Sequence, residues 1–478
     1  MQVRFLAYFQ VKILLNFKKM FKSLKIILNS ISFKNQISTS LNKGMIMHIL
    51  DIISKKRDQK VLTREEIKFF LDGYIHNQIP DYQIAALLMS IYLNGMNEQE
   101  TADLTELMMH SGQVIDLSAI AGLKLDKHST GGVGDKVSLV LVPILAACGA
   151  KVAKMTGRGL EHTGGTIDKL ETIPGFSCFL DVATFKKLVE QSNLAIIGQT
   201  DDLVPADKKI YALRDVTATV GSLPLIVASI LSKKFATGSN TIIIDLKCGS
   251  GAFMKTLADA EALGNLMLKV GRHLKRDIKI KITNMEQPLG KMIGNKNEVL
   301  EAMQTLKGHG ESHFLEVIYS LATTMLAQGQ ITNDPTKARQ MIDQVIKNGQ
   351  ALAKFFEMVQ NQGGNTEIIQ QANWWNPKYT LEIKAPASGY VYWKNALVIG
   401  LGAMKLGAGR KTKEDQLDNE AGIEILKLTN EEVKAGQIIM KLYSSKPIDS
   451  EIAKEITEQA LEIKNQKQPI QMVLKELA

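Results

Sequence analysis

The stretch KHSTGGVGDKVS, residues 127–138, combines three glycines with three hydroxyl side chains, one histidine and two lysines. Glycines leave backbone N–H groups free to turn toward a bound group. The apolar run VSLVLVPILAACG begins at once and is typical of a buried helix that ends at Gly149. A glycine turn that opens a helix and is flanked by lysines is suited to binding phosphate, although an ordinary strand-to-helix turn stays an alternative. It is not a Walker loop, because no Ser or Thr directly follows Lys136.

A second glycine-rich stretch, KMTGRGLEHTGGTIDKLETIPG at 154–175, holds five glycines and also follows a predicted strand. In an open α/β sheet, ligands bind in the crevice at the carboxyl ends of the strands. Two glycine, hydroxyl and lysine loops that both follow strands therefore predict one anion site approached from two sides.

Charge is distributed unevenly along the 478 residues. The net charge is +9, but residues 1–46 hold eight basic side chains and no acidic one. The rest is close to neutral, which argues against a nucleic-acid-coating protein. The longest charge-free apolar runs fall short of the roughly 18 residues that cross a bilayer, so no membrane partner is expected. We expect residues 1–44 to be a basic leader outside the fold, which begins near Met45 or Met47.

The three cysteines, Cys148, Cys178 and Cys248, form no CxxC pair. Neither a zinc site nor a disulfide framework is expected, and sparse unpaired thiols are typical of a cytoplasmic protein. Clustered carboxylates or histidines at metal-ligand spacing are also missing from the sequence around the phosphate loops.

The order of helical and strand patterns predicts the fold class. Residues 45–112 and about 206–238 read as a helical domain, in which Thr63 and Glu66 form a capping box. Short apolar runs alternate with helical segments over about 120–205 and 239–375, which is typical of a mainly parallel sheet covered by helices. Residues 380–470 show the short strands and turns of a small β-rich domain.

Several motifs carry a family resemblance: KHSTGGVGD, GRGLEHTGGTIDKLETIPGF, ALRDVTATV, SILSKK and LGAGR. They resemble motifs of the pyrimidine-nucleoside and thymidine phosphorylases, and the resemblance extends over about 45–470. It implies a small helical domain that faces a large, mainly parallel α/β domain across a cleft, and a homodimer formed through the helical domain. It also implies a role in nucleoside salvage: phosphorolysis of uridine, thymidine or deoxyuridine to free base and (deoxy)ribose 1-phosphate. Glu161, Thr156 and Cys248 depart from the usual glycine, serine and threonine of relatives.

Phosphorolysis requires a held phosphate and cationic donors for the charge that develops on the departing base. The resemblance assigns phosphate binding to Lys127, His128, Ser129, Ser138, Lys154, Met155, Thr156 and Thr166. It assigns catalysis to His128, Arg214, Ser229 and Lys233, with Arg214 and Lys233 binding the substrate. Ser229 and Lys233 are four residues apart, so they share one helix face. Taken alone, Arg214 beside Asp215 is typical of an exposed ion pair, and Lys233 with Lys234 of a solvated helix end.

Broad-specificity relatives also bind one potassium ion, mostly through carbonyl oxygens, and no organic cofactor. The matching positions are Gly134, Lys136, Leu289, Met292 and Glu301. Lys136 could act as a ligand there only through its carbonyl oxygen, because an ammonium has no lone pair.

Two alternatives stay open. An anthranilate-type phosphoribosyltransferase also places a glycine-rich loop on phosphate, but it needs acidic residues for magnesium and lacks a β-rich C-terminal unit. A non-catalytic binding protein that kept the fold would be expected to lose cations such as Lys127, Arg214 and Lys233 first.

Overall fold

The computed structural model describes residues 47–159, 164–410 and 415–478. The leader assigned to 1–44 and the departure at Glu161 lie outside the described residues. The described helices are α1 (Ile49–Arg57), α2 (Arg64–Ile75), α3 (Asp81–Asn94), α4 (Glu98–Met109), α5 (Val137–Ala147), α6 (Thr166–Leu170), α7 (Val182–Ser192), α8 (Pro205–Val216), α9 (Leu223–Ala236), α10 (Leu257–His273), α11 (Lys296–Leu306), α12 (Ser312–Gln328), α13 (Pro335–Lys347), α14 (Gln350–Asn361), α15 (Thr366–Ile369), α16 (Ala396–Leu406) and α17 (Ser450–Gln459). The described strands are β1 (Lys124–Ser129), β2 (Lys151–Thr156), β3 (Leu194–Gly198), β4 (Thr241–Cys248), β5 (Asp277–Asn284), β6 (Met292–Gly294), β7 (Tyr379–Lys384), β8 (Gly389–Trp393), β9 (Gly422–Ile425), β10 (Glu432–Val433), β11 (Ile438–Ser444), β12 (Leu461–Lys464) and β13 (Val473–Leu477).

The helical region is built from α2, α3 and α4 together with the later helices α8 and α9. Thr63 and Glu66 form the predicted capping box at the start of α2. Asn97 and Glu100 form a second capping box at the start of α4. Because α9 packs along α4, the 205–236 segment belongs with the N-terminal helices although it lies between two strands in sequence.

Among the described residues, the main sheet has six strands in the order β13-β5-β4-β1-β2-β3. Strands β1 to β5 are parallel, and only β13 runs antiparallel, beside β5. The short apolar runs that the sequence predicts as strands over about 120–205 and 239–375 include β2 to β5. The order reverses between β1 and β4, so the loop that follows β1 opens at the switch point of the sheet.

Helix α5 follows that loop and is buried along nearly its whole length, as its continuous apolar run predicts. It packs against α12 and α14 on one side of the sheet. Gly149 follows it with a φ of +90°, the conformation that ends a helix and that glycine adopts without strain. The glycine loop that precedes α5 is therefore anchored on a buried core element.

The C-terminal region contains two small antiparallel sheets, of order β10-β8-β12 and β6-β9-β11-β7. Two short strands, β6 and β13, were not expected from the sequence. β6 comes from the α/β part of the chain but pairs with β9, and β13 returns to the edge of the main sheet. The predicted fold class is confirmed: a helical domain, a mainly parallel α/β domain and a β-rich C-terminal unit. None of the described helices combines the length and apolar character that a membrane span needs.

Candidate functional site

Lys127, near the end of β1, has a fully buried ammonium group that lies among carboxylates. Its Nζ is 3.0 Å from Asp245 Oδ2 and 3.9 Å from Asp135 Oδ1. Lys247 Nζ is 2.9 Å from the same Asp245 oxygen. Neither ammonium reaches hydrogen-bond geometry with any acceptor in the described part of the chain. Burial lowers the pKa of Lys127, but Asp135 and Asp245 outweigh it and raise that pKa above its ordinary value, so the group keeps its charge.

The first glycine loop, residues 130–136, is closed by Asp135. Ser129 Oγ donates to Asp135 Oδ2 and accepts from the Gly131 N–H at 3.3 Å. The other oxygen of Asp135 accepts from the Val137 N–H at the start of α5, at 3.2 Å. Burial raises the pKa of Asp135, but the surrounding lysines, Lys127 first, hold it far below its ordinary value. The loop is therefore held by a carboxylate that keeps its negative charge beside the positive charge of Lys127.

Asp126 is fully buried and links the two glycine loops to the helical region. Its carboxylate accepts from the backbone N–H groups of Lys127 at 2.7 Å and Met155 at 3.2 Å. Lys234, on α9, donates to the same carboxylate at 2.8 Å and to the Met155 carbonyl at 2.5 Å. Lys154 Nζ donates to the Lys127 carbonyl at 2.8 Å and lies 3.7 Å from Asp126. One carboxylate thus balances two buried ammonium groups between β1, β2 and α9.

Burial, together with the close packing of cations, lowers the pKa of the titratable groups around this carboxylate. Burial, followed by the charge of Lys234, lowers the pKa of Lys154 from 10.5 to about 7. Burial also lowers the pKa of Lys234, although Asp126 opposes that shift. Burial and the charges of Lys234 and Lys154 hold the pKa of His128 well below its ordinary value. A neutral imidazole keeps one N–H donor, so His128 can donate to an oxygen without adding charge.

Ser229 and Lys233 lie on one face of α9, as their spacing predicts, and α8 packs beside them. Lys233 Nζ donates to Ser229 Oγ at 2.9 Å and to the Asp207 carboxylate on α8. Asp207 is almost completely buried, and its second oxygen finds no donor among the described residues. Tyr211 lies between the two cations of this region, with its ring centre 5.9 Å from Lys233 Nζ and 5.7 Å from the Arg214 guanidinium carbon.

Arg214 is only 1% exposed and donates to the carbonyls of Leu225 at 3.0 Å and Val220 at 2.7 Å. The alternative of an exposed ion pair with Asp215 is therefore wrong. The interpretation of Lys234 as a solvated helix end is also wrong, since its ammonium is buried against Asp126. The sequence alone does not show that Arg214 and Lys234 are buried, because each has a charged neighbour in the chain that is more exposed. Only tertiary contacts distinguish the two members of each pair.

The remaining predicted phosphate residues lie at the ends of the two loops. Ser138 lies in the first turn of α5, Thr156 ends β2 and Thr166 begins α6. The Met155 N–H donates to Asp126 and its carbonyl accepts from Lys154 and Lys234, and the assignment of Met155 to phosphate binding stays a prediction. Lys169, on α6, donates to the Asp135 carbonyl at 2.8 Å and so links the second loop to the first.

The positions predicted for potassium do come together, but they surround an ammonium group. Lys136 Nζ donates to the Leu289 carbonyl at 2.7 Å and lies 2.8 Å from Glu301 Oε2. Glu301 also accepts from the Met292 N–H at 2.8 Å, and Gly134 packs directly on the Leu289 carbonyl. These residues do not fit a potassium ion, because the charge that the oxygens need is already supplied by Lys136. Across the described residues, no group of three or more His, Cys, Asp or Glu side chains could hold a metal ion.

Sequence reasoning missed most of the charged residues that hold the site together. They are Asp126, Asp135, Asp207, Lys234, Asp245 and Lys247. A signal for two of them existed: Asp245 and Lys247 lie in β4, a strand that is buried along its whole length and whose other residues are mostly apolar. Charged side chains are almost never fully buried unless they are paired, so charges in such strands indicate a built polar site.

Three family models match consecutive parts of the chain. The helical bundle domain of the glycosyl transferase family matches residues 50–112, and the a/b domain of that family matches 121–352. The C-terminal domain of pyrimidine nucleoside phosphorylases matches 390–464. Among solved structures, anthranilate phosphoribosyltransferase from Thermus thermophilus is similar, with a TM-score of 0.52 and 16% identity over 65% of this chain and 99% of that one. At that identity the likeness shows the fold alone.

Curated relatives are similar over most of their length. A pyrimidine-nucleoside phosphorylase of Staphylococcus haemolyticus is 48% identical over 421 residues, which are 88% of this chain and 97% of the relative. That of Staphylococcus epidermidis is 49% identical over 405 residues, which are 84% of this chain and 94% of the relative. The identity holds across the helical, α/β and C-terminal parts together, and the chain belongs to the pyrimidine-nucleoside phosphorylase family.

Proposed function

We propose that the chain catalyses the phosphorolysis of pyrimidine nucleosides, with uridine, thymidine and deoxyuridine as substrates, in nucleoside salvage. Nucleoside and phosphate are the two substrates, so no organic cofactor enters the reaction. The observation that carries the proposal is the arrangement of cations in two adjoining groups. Lys127, Lys154 and Lys247 lie by the glycine loops, and Arg214 and Lys233 lie by α8 and α9. Lys234, next to Lys233 in sequence, belongs to the first group through Asp126.

The two groups suit the two charges of the reaction. Phosphate attacks the anomeric carbon while the bond to the base nitrogen breaks, and the bonding electron pair leaves with the base through an oxocarbenium-like transition state. The glycine loops and the hydroxyls of Ser129, Thr156 and Thr166 hold and orient phosphate. Lys233 and Arg214 stabilise the negative charge that appears on the base. His128, kept neutral, donates to a base oxygen.

The alternative of an anthranilate-type phosphoribosyltransferase is less well supported. It shares the fold at 16% identity, whereas the match at 390–464 is to the C-terminal domain of the phosphorylases. A non-catalytic protein that kept the fold would be expected to lose the cations of the site first, and Lys127, Arg214 and Lys233 are all kept.

The proposal is tested by incubating the full chain with uridine, thymidine and deoxyuridine in parallel, with and without inorganic phosphate. We expect release of free base only when phosphate is present. No release from any of the three by a folded preparation would contradict the proposal. Consumption of a phosphoribosyl pyrophosphate with magnesium, in the absence of phosphorolysis, would favour the transferase instead.

We propose a homodimer formed through the helical domain, and α3 supports it. Tyr82, Ala86, Met89 and Leu93 recur at helical spacing and form one exposed apolar stripe, with Tyr82 73% and Leu93 72% exposed. Apolar stripes of this size on a folded surface are typical of interaction sites.

The residue boundaries predicted for the domains stay a prediction, as does a cytoplasmic location. That location is supported by three free, buried cysteines.

Leu93→Asp is expected to convert the dimer to a monomer, because the variant would place an unpaired charge in an apolar interface. Light scattering after gel filtration measures the change in mass. Phe253→Asp, a change at an equally apolar exposed residue of the α/β domain, is the matched control and should leave the dimer intact. A Leu93→Asp protein that elutes unchanged would show that α3 is not the interface.

Phosphate binding is expected to weaken as the pH rises above about 7, after allowance for the ionisation of phosphate itself. The reason is that Lys154, whose pKa is lowered to about 7, attracts phosphate only while protonated. The KM for phosphate measured across neutral pH tests this. Lys154→Met should raise KM and remove the dependence, whereas Lys151→Met, at the outer end of the same strand, should keep it. A wild-type KM that stays flat through neutral pH would contradict the assignment.

A further inference from the structure

We infer that the ammonium group of Lys136 is a built-in cation that replaces a bound monovalent metal ion, so the folded chain needs no potassium. This ammonium holds the first glycine loop in place, which is a role separate from the proposed reaction. Its effect is measurable on the stability of the fold, without measuring turnover.

The surroundings of the ammonium are those of a cation site. The Lys136 side chain is fully buried, and its Nζ donates to the Leu289 carbonyl at 2.7 Å. The carboxylate of Glu301 lies 2.8 Å away, and the ring centre of Phe314 lies 5.3 Å away. A carbonyl oxygen, a carboxylate and an aromatic face are all groups that stabilise a single positive charge.

The negative charge of this site is fixed by the backbone. Glu301 accepts from the N–H groups of Lys291 at 2.7 Å and Met292 at 2.8 Å, so it is held in place whether or not a cation is present. The Glu301 side chain is only 10% exposed, and a carboxylate so largely removed from water is unfavourable without a counter-charge. Lys136 supplies that charge from the phosphate loop, which is the role a potassium ion would otherwise have.

Space around the ammonium is also limited. Gly290 has a φ of +74°, and a Cβ at this position would lie 2.6 Å from Glu301 Oε1 and 2.8 Å from Lys136 Nζ. Backbone therefore packs directly against the ion pair. A second cation here would have to displace the ammonium, and like charges at such short range repel.

The consequence lies in how the loop is anchored. Lys136 ends the first phosphate loop and ties it to the 289–301 segment, while Lys169 ties the second loop to Glu298 at 2.7 Å. Two covalently attached cations thus hold both loops to the start of α11 and the segment before it. The order of the loops should not depend on the salt in solution.

The test compares melting temperatures of the full chain in potassium chloride and in choline chloride at equal ionic strength. The melting temperatures of wild type in the two salts should agree within about 1 °C. The protein should retain no potassium ion after dialysis. Lys136→Thr removes the ammonium and leaves the Leu289 carbonyl and Glu301 without a cation. In choline chloride its melting temperature should be at least about 4 °C below that of wild type. Potassium should restore part of that loss, with a saturable dependence on its concentration. Lys187→Thr, at an exposed lysine of α7, is the control and should match wild type in both salts.

Two results would overturn the inference. The first is a wild-type melting temperature that rises saturably with potassium, or one potassium ion retained per chain. The second is a Lys136→Thr protein that is destabilised equally in both salts, because Lys136 would then be an ordinary structural ion pair. If Lys136→Thr does not fold, the wild-type measurements decide alone. Since none of these readouts uses a nucleoside, failure here would leave the phosphorolysis assay unaffected.

Discussion

Lys233→Met is expected to lower kcat/KM for nucleoside phosphorolysis by about a hundredfold or more. The ammonium lies on α9 beside Ser229 and Asp207 and is the most exposed cation of its group, with 23% of the side chain accessible. It would stabilise charge that appears mainly in the transition state, so its loss should act on turnover more than on substrate binding. Steady-state kinetics at saturating phosphate measure the change.

Stability and catalysis must be separated in this experiment, because Lys233 also neutralises the buried Asp207. Lys233→Met alone should therefore melt at a lower temperature than wild type. The double variant Lys233→Met with Asp207→Asn removes both charges and should regain much of the stability without regaining activity. Lys208→Met, at an exposed lysine of α8, should behave as wild type. A double variant with nearly normal kcat/KM would show that Lys233 is a structural ion-pair partner only.

Much of the fold was predictable from the sequence because its helix caps and buried strands depend on residues that are close together in the chain. The capping boxes at Thr63 and Asn97 join residues three apart, and the apolar runs of β2 to β5 record burial on both faces of a parallel sheet. Strands β6 and β13 escaped prediction for the opposite reason. β6 has three residues and β13 alternates weakly, so each is defined by its partner strand in another part of the chain.

The candidate site was predictable as a set of motifs, but its electrostatics were not. Lys233 and Lys234 look alike in sequence, yet one is partly exposed beside Asp207 and the other is buried against Asp126, 108 residues away. Which of two neighbouring lysines enters the core depends on how α9 packs against β1 and β2. The position of the Lys136 ammonium was likewise not predictable. The family resemblance placed Lys136 at a cation site, but only the structure shows its ammonium among the oxygens.

Asp126→Asn is expected to destabilise the fold by about 3–5 kcal/mol, because the variant removes the shared counter-charge of two buried lysines. Asparagine has the same shape and keeps one of the two oxygens that accept from the Lys127 and Met155 N–H groups, so the loss would come from the charge and one acceptor and not from a cavity. Urea unfolding of the variant and wild type measures the difference in the free energy of unfolding. Asp116→Asn, at an exposed carboxylate ahead of β1, should change it by less than about 0.5 kcal/mol.

The same substitution should also shift the pH dependence of phosphate binding in a defined direction. Asp126 raises the pKa of both Lys154 and Lys234, in opposition to burial. Without it the pKa of Lys154 falls below about 7, so its proton is lost at a lower pH than in wild type. The KM for phosphate of Asp126→Asn should therefore begin to rise on the acidic side of the wild-type rise. A rise at unchanged pH, together with a stability loss under about 1 kcal/mol, would mean that water or phosphate and not Asp126 balances these lysines.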